Sequence, residues 1–279
     1  MSVGGPVIRA TASVTTTRGQ TDSEVGMRKR ICWLLSGWMA VTLVTAGARA
    51  EAPQPQRAEF TTADGVHIVG DFYPAQGEGE APLALLLHMY RSDRSAWKPL
   101  VGPLHDAGFA VLAIDMRGHG ESTEPKDMHL EQRVKQRDPG IFNAMHLDAA
   151  AAVDWAHKQP GVDPDKLVVV GASVGCSVAL DFTARNENVD GVVCLSPGTH
   201  YLGVDSTEDI KETRKVPILL LSEEKERAAV DELAGLAENA KGEVVGPGGN
   251  HGTNMFGKVD GIEQKIVDFL KSAVGGGHA

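Results

Sequence analysis

Two hydrophobic periods alternate along this chain. Residues 58–62 and 66–73 read as strands joined by Asp64-Gly65, a hairpin turn signal. Residues 83–88 are an unbroken apolar run ending in a histidine, as expected of a strand buried on both faces, and Trp97, Leu100 and Leu104 follow at helical spacing. The same alternation continues, with strands expected at 109–115, 167–170, 189–195, 216–221 and 243–245. Helices are expected between and after them, at 144–157, 174–185, 227–239 and 259–273. Strict alternation predicts an α/β protein with a mostly parallel central sheet of about eight strands, its first hairpin antiparallel, covered by helices on both faces. Two segments break the rhythm. Residues 123–142 are charged and poorly periodic and read as a surface excursion, while 197–215 is short and is expected to leave the strand ends beneath it open. Neither is long enough for a large lid domain, and the glycine-rich tail 275–279 reads as frayed.

Charge adds an address. The chain has 279 residues, 27 Lys and Arg against 37 Asp and Glu. Residues 1–50 hold six of the basic and two of the acidic residues, leaving a more acidic remainder. Such a remainder disfavours nucleic acid and anionic membranes as partners. Met27-Arg-Lys-Arg30 precedes a mostly apolar run, 31–47, that ends in Ala48-Arg49-Ala50. This is the layout of a secretory signal peptide over 27–50, cut after Ala50, with residues 1–26 an upstream extension and Met27 the expected start. An uncleaved anchor formed by 31–47 is the alternative; that run is at the short limit for a span and is diluted by Ser36, Gly37, Thr42 and Thr45. After cleavage 51–279 remains as a single domain with no membrane span, exported to a periplasm or medium. Its two cysteines, Cys176 and Cys194, lie in apolar surroundings and read as buried free thiols, a disulfide staying open. No Cys or His partner stands at metal-ligand spacing, so neither reads as a metal ligand, and the serine chemistry described below implies no metal or organic cofactor. The oligomeric state is not legible.

Candidate chemistry centres on Val168-Val-Val-Gly-Ala-Ser-Val-Gly-Cys-Ser177, where an apolar strand, a Gly-x-Ser-x-Gly pentapeptide and a helix-forming stretch adjoin. A serine on so tight a strand-to-helix turn needs small neighbours, here Gly171 and Gly175. Ser173 then stands alone above the sheet as a nucleophile, and the N–H of Val174, opening the helix, points at whatever it attacks.

From Phe60 to Lys271 the chain resembles the α/β-hydrolase family, in its carboxylesterase and dienelactone-hydrolase-like branch. The motifs occur in order: His88-Met-Tyr90, Asp115-Met-Arg-Gly-His-Gly-Glu-Ser122, the elbow at Ser173, and Gly249-Asn-His251-Gly. The resemblance implies the α/β-hydrolase fold and makes His251, in a glycine-rich loop after the last strand, the general base. Counting from Pro217, Glu226 falls where the family has an aspartate, with Glu224, Asp231 and, more remotely, Asp205 as alternatives. The second oxyanion donor would be the N–H of Tyr90, or of Met89, which replaces a glycine common in the family. His88 and His119 would hold loops, and Asp115, Arg117 and Gly118 would fix a turn. Trp97, His200, Tyr201, Met255 and Phe256 are candidate pocket walls, each also readable as plain core. Asp163 and Asp165 read as turn residues, Asp148 and Asp154 as a solvated helix face.

The expected activity is cleavage of a small or medium carboxylic ester by an exported serine hydrolase. A peptidase or thioesterase with the same triad, or an idle scaffold that binds a partner, are the alternatives. N-terminal sequencing of the exported protein should return a chain beginning at Glu51; an earlier first residue would remove the cleavage claim.

Overall fold

The computed structural model describes residues 54–276; the signal peptide expected over 27–50 and the upstream extension expected over 1–26 lie outside the described residues. Eight strands form one sheet: β1 (Gln56–Thr61), β2 (His67–Tyr73), β3 (Ala81–Leu87), β4 (Ala110–Asp115), β5 (Val162–Ala172), β6 (Gly191–Leu195), β7 (Ile218–Glu223) and β8 (Ala240–Gly246). Their spatial order is β1-β2-β4-β3-β5-β6-β7-β8. β1 pairs antiparallel with β2 and β2 antiparallel with β4, and every other pairing is parallel. Eight helices intervene: α1 (Lys98–Asp106), α2 (Leu130–Lys135), α3 (Pro139–Asn143), α4 (His146–Ala156), α5 (Val174–Ala184), α6 (Ser206–Glu212), α7 (Arg227–Leu236) and α8 (Ile262–Gly275).

Strand periodicity divides the core in two. Leu83, Leu85 and Leu87 of β3 face one layer, built on α4 to α7, whereas Ala84 and Leu86 face the other, built on α1 and α8. Both faces are therefore apolar, which is why the central strands read as continuous hydrophobic runs. α8 shows the matching helical stripe, with Ile262, Ile266, Val267 and Leu270 buried. α5 runs through the middle of its layer and is buried from Val174 to Thr183.

The excursion at 123–142 corrects the expectation of a surface loop. It contains α2 and most of α3, and Leu130, Val134, Ile141 and Phe142 enter the core. Nor is the segment after β6 detached. The Asn143 side-chain amide donates to the Gly203 carbonyl at 3.0 Å, and Gly203 packs on Pro139, so the two short excursions meet. Ser173 beneath is only 7% exposed.

Asp148 is a second correction: it is fully buried on α4, not solvated. Its carboxylate accepts from the backbone N–H and Nε of Arg117, each at 2.8 Å, while the other end of that guanidinium reaches Asp64 in the β1–β2 turn. Arg117 thus joins the first hairpin to α4. Burial pushes the Asp148 carboxyl up to about 6 against the opposing pull of Arg117. Removing one member of a buried pair strands the other's charge. Asp148→Ala should therefore lower unfolding free energy in urea by about 3 kcal/mol; a change near zero would mean the residue behaves as a solvated one.

Candidate active site

β5 delivers Ser173 straight into α5. The serine has φ 53° and ψ −119°, a left-handed backbone unusual for a residue with a Cβ. The turn is tight enough that a Cβ on Gly171 would run into the Gly175 carbonyl. One on Gly175 would run into the carbonyl oxygens of Leu87 and His88. Both glycines are therefore required by close approach, and the second brings the first turn of α5 against the end of β3. That contact brings the first turn of α5 against His88, at the start of the 88–90 loop where the second oxyanion donor is expected.

His88 orders this loop. Its Nε2 accepts from the Met116 N–H at 3.0 Å, so its Nδ1–H donates to the Met89 carbonyl at 2.8 Å. Burial lowers its pKa to about 4, and the same cause, with His88 adjacent, lowers that of His119 to about 4. Both rings are neutral at ordinary pH and packed edge to face at 4.9 Å between centroids. The Tyr90 side chain turns away into the core, its hydroxyl donating to the Val134 carbonyl and its ring lying against His119 and Phe142. The Met89 sulfur lies 3.8 Å from the Thr253 hydroxyl that donates to it, joining the 88–90 loop to the segment that carries His251.

His251 follows β8 in a glycine-rich loop. The next residue, Gly252, donates its N–H to Ser196 Oγ at 2.9 Å, and a Cβ on it would sit 3.4 Å from that of Ala172, the neighbour of Ser173. His251 Nδ1 lies 2.5 Å from Glu226 Oε1. A proton on Nδ1 donated to the carboxylate leaves Nε2 as the acceptor. Among the described residues Ser173 Oγ makes no direct hydrogen bond to His251; catalytic contacts of this kind often tighten only with substrate bound. The rival carboxylates are engaged elsewhere. Glu224 and Asp231 pair with Arg227, and Asp205 caps α6 and pairs with His200.

The candidate wall residues separate into two groups. Trp97, Met255 and Phe256 are buried in the layer of α1 and α8, with Trp97 and Phe256 rings 5.9 Å apart, and they are core. His200 is exposed. Tyr201 stands over the site, its ring 6.2 Å from that of His251. Burial, with the Glu226 charge adding to it, pushes the Tyr201 phenol up to about 12, so it stays neutral. Asp115 holds its turn as expected: it takes the Glu121 N–H and the Arg94 guanidinium, and a Cβ on Gly120 would enter its carboxylate. Cys176 and Cys194 are buried free thiols, Cys176 Sγ donating to the Gly171 and Leu195 carbonyls at 3.3 Å. Sequence reasoning missed Ser196, Glu223 and Asn250, which hold the histidine loop; the only signal for them was the glycine spacing at 246, 248 and 249.

A cleft of about 650 Å³ lies at the opposite end of the sheet, where Asp190, Arg214, Val216, Pro217 and Phe269 line the starts of β6 and β7. It contains no member of the serine site. No group of His, Cys, Asp and Glu suited to a metal ion occurs among the described residues, and no described helix is long and apolar enough to cross a membrane.

An eight-stranded sheet of this order with a serine elbow and a histidine loop defines an α/β hydrolase. A family model described as Hydrolase_4, serine aminopeptidase S33, matches residues 82–228, more than half of the chain, and the chain belongs to that family. It is 26% identical over 252 residues to the protein YfhR of Escherichia coli K12, covering 80% of this chain and 84% of that one. Its fold is similar to that of the Pyrococcus furiosus esterase Pf2001, with a TM-score of 0.62 at 20% identity over 79% of this chain and 93% of that one. It is similar also to a dienelactone hydrolase from Anabaena variabilis, with a TM-score of 0.62 at 19% identity over 80% and 97% of the two chains.

The elbow geometry is testable by comparing two glycines. Gly175→Ala should destabilise by about 1–3 kcal/mol or prevent folding, because backbone must move. Gly102→Ala, on α1 with open space around it, should stabilise by about 0.5–1 kcal/mol. Equal thermal melts for the two variants would refute the close contact.

Proposed function

We propose that this protein is an exported serine hydrolase that cleaves small or medium carboxylic esters through an acyl-enzyme intermediate. The observation that carries the reading is the 2.5 Å contact between His251 Nδ1 and Glu226 Oε1, on a loop packed against the residue before an elbow serine. With Nδ1–H held by Glu226, His251 Nε2 takes the Ser173 proton as Oγ attacks the ester carbonyl carbon. The carbonyl electrons move to oxygen, which is held by the N–H groups of Val174 and of Tyr90 or Met89. Collapse of this intermediate expels the alcohol, which takes the proton from His251. Water, deprotonated by the same ring, then releases the acid and restores Ser173. The chemistry requires no metal or cofactor, and Glu226 serves as orienter in place of the aspartate expected by resemblance.

Substrate size is supported by the short segments above Ser173. Export rests on the basic cluster, apolar run and small-residue cleavage pattern of 27–50. A second reading has a specific observation behind it: the family is described as serine aminopeptidase, and an amide would be cleaved by the same steps.

A fluorophosphonate probe should label Ser173 and fail on Ser173→Ala. Glu226→Ala should lower kcat on a short p-nitrophenyl ester by about 10³–10⁴-fold. Absence of labelling under conditions that label a control hydrolase would sink the enzyme reading. Faster turnover of aminoacyl p-nitroanilides than of esters would favour the peptidase.

A further inference from the structure

Glu223 is 3% exposed at the end of β7, where the β7–β8 pairing shifts register between Ser222 and Glu223. The irregularity turns this carboxylate toward the loop after β8. Oε2 accepts the backbone N–H of Asn250, and Oε1 accepts the Asn250 side-chain amide at 2.9 Å. Gly246 and Gly248 keep room for it: a Cβ at 248 would lie 2.7 Å from Oε2. Glu223 forms no ion pair among the described residues, so Asn250 supplies the hydrogen bonds that compensate its burial. The outer face of Asn250 is held too, its Oδ1 accepting from Lys258 Nζ at 3.2 Å.

We propose that Glu223 is a positioning residue for the general base: it clamps Asn250 and thereby fixes where His251 stands relative to Ser173. The inference rests on the serine-hydrolase reading and adds to it a second carboxylate with a separate task. A loop written Gly-Pro-Gly-Gly-Asn-His-Gly has wide backbone freedom. Three consecutive residues lose that freedom to three different anchors, Asn250 to Glu223, His251 to Glu226 and Gly252 to Ser196. Glu226 can orient the ring but is itself on a 3-10 turn with one oxygen buried and unpartnered. Glu223 belongs to the sheet and carries the rigidity of β7 into the loop.

An exchange of side chains tests this. Asn250→Asp places a carboxylate against Glu223 and should lower kcat about 30-fold or more, with KM changed less than about threefold. Glu223→Gln keeps one acceptor and should lower kcat about tenfold. Combined, Gln at 223 accepts the backbone N–H of residue 250 and donates to the new Asp, so the double variant should return to within about threefold of the starting kcat. Thermal melts identify variants that fail to fold. Independently of turnover, the low-field Nδ1–H proton resonance of His251 should be sharp in the unaltered protein, broadened in Asn250→Asp and restored in the exchange. Single effects that multiply in the double variant, or a His251 resonance indifferent to all three, overturn the proposal. An unaltered protein that fails to label with fluorophosphonate would count against the hydrolase reading alone, and the His251 resonance then decides the positioning claim.

Discussion

The site depends on one close approach, that of α5 to the end of β3. A parallel strand must turn into a helix at Ser173 without room for side chains at 171 or 175. The serine accepts a left-handed backbone because packing around it leaves nothing else. From this contact the other parts take their places. The 88–90 loop lies against the helix start, Met89 joins that loop to Thr253, and Gly252 rests on Ala172. A strained turn at a serine persists only where the surroundings over-determine it, and here they include a helix buried along nearly its whole length.

The alternation of strands and helices was legible because central strands buried on both faces must be apolar throughout, and a helix that covers them with one face, as α8 does, carries a stripe. Ser173 was legible for a local reason, since glycine spacing around it reflects a steric limit within five residues. Glu226 was named only through the family resemblance, by counting from Pro217 with Glu224 and Asp231 as alternatives, and the fold brings it to His251 Nδ1. Where the chain resisted reading, the cause was distance or brevity. Asp148 looks like any helical aspartate until Arg117 is brought to it across the fold. The helices of 123–142 are too short for a hydrophobic period to declare itself, yet Leu130, Val134, Ile141 and Phe142 fill the core.

Carboxylates in this acidic chain follow a division by neighbours. Several at the surface pair with arginines or lysines, as Glu224 does with Arg227. Asp115 and Asp148 are withdrawn from water, and each meets a guanidinium as well as backbone N–H groups. Glu223 and Glu226, near the histidine, meet Asn250 and His251 respectively. Run together in sequence, 223–227 looks like a solvated charge cluster. The irregular end of β7 and the turn after it send consecutive members of that run to different environments.

The cleft at the starts of β6 and β7 has a practical consequence for finding inhibitors. A cleft of that volume, part apolar and part charged, offers small molecules a place unrelated to the serine, so hits from a fragment screen read by binding alone need sorting by site. Compounds chosen for an electrophile that a serine can attack are selected by reactivity, which the far cleft does not offer. Reading a screen by adduct mass on the elbow peptide would separate the two populations at once.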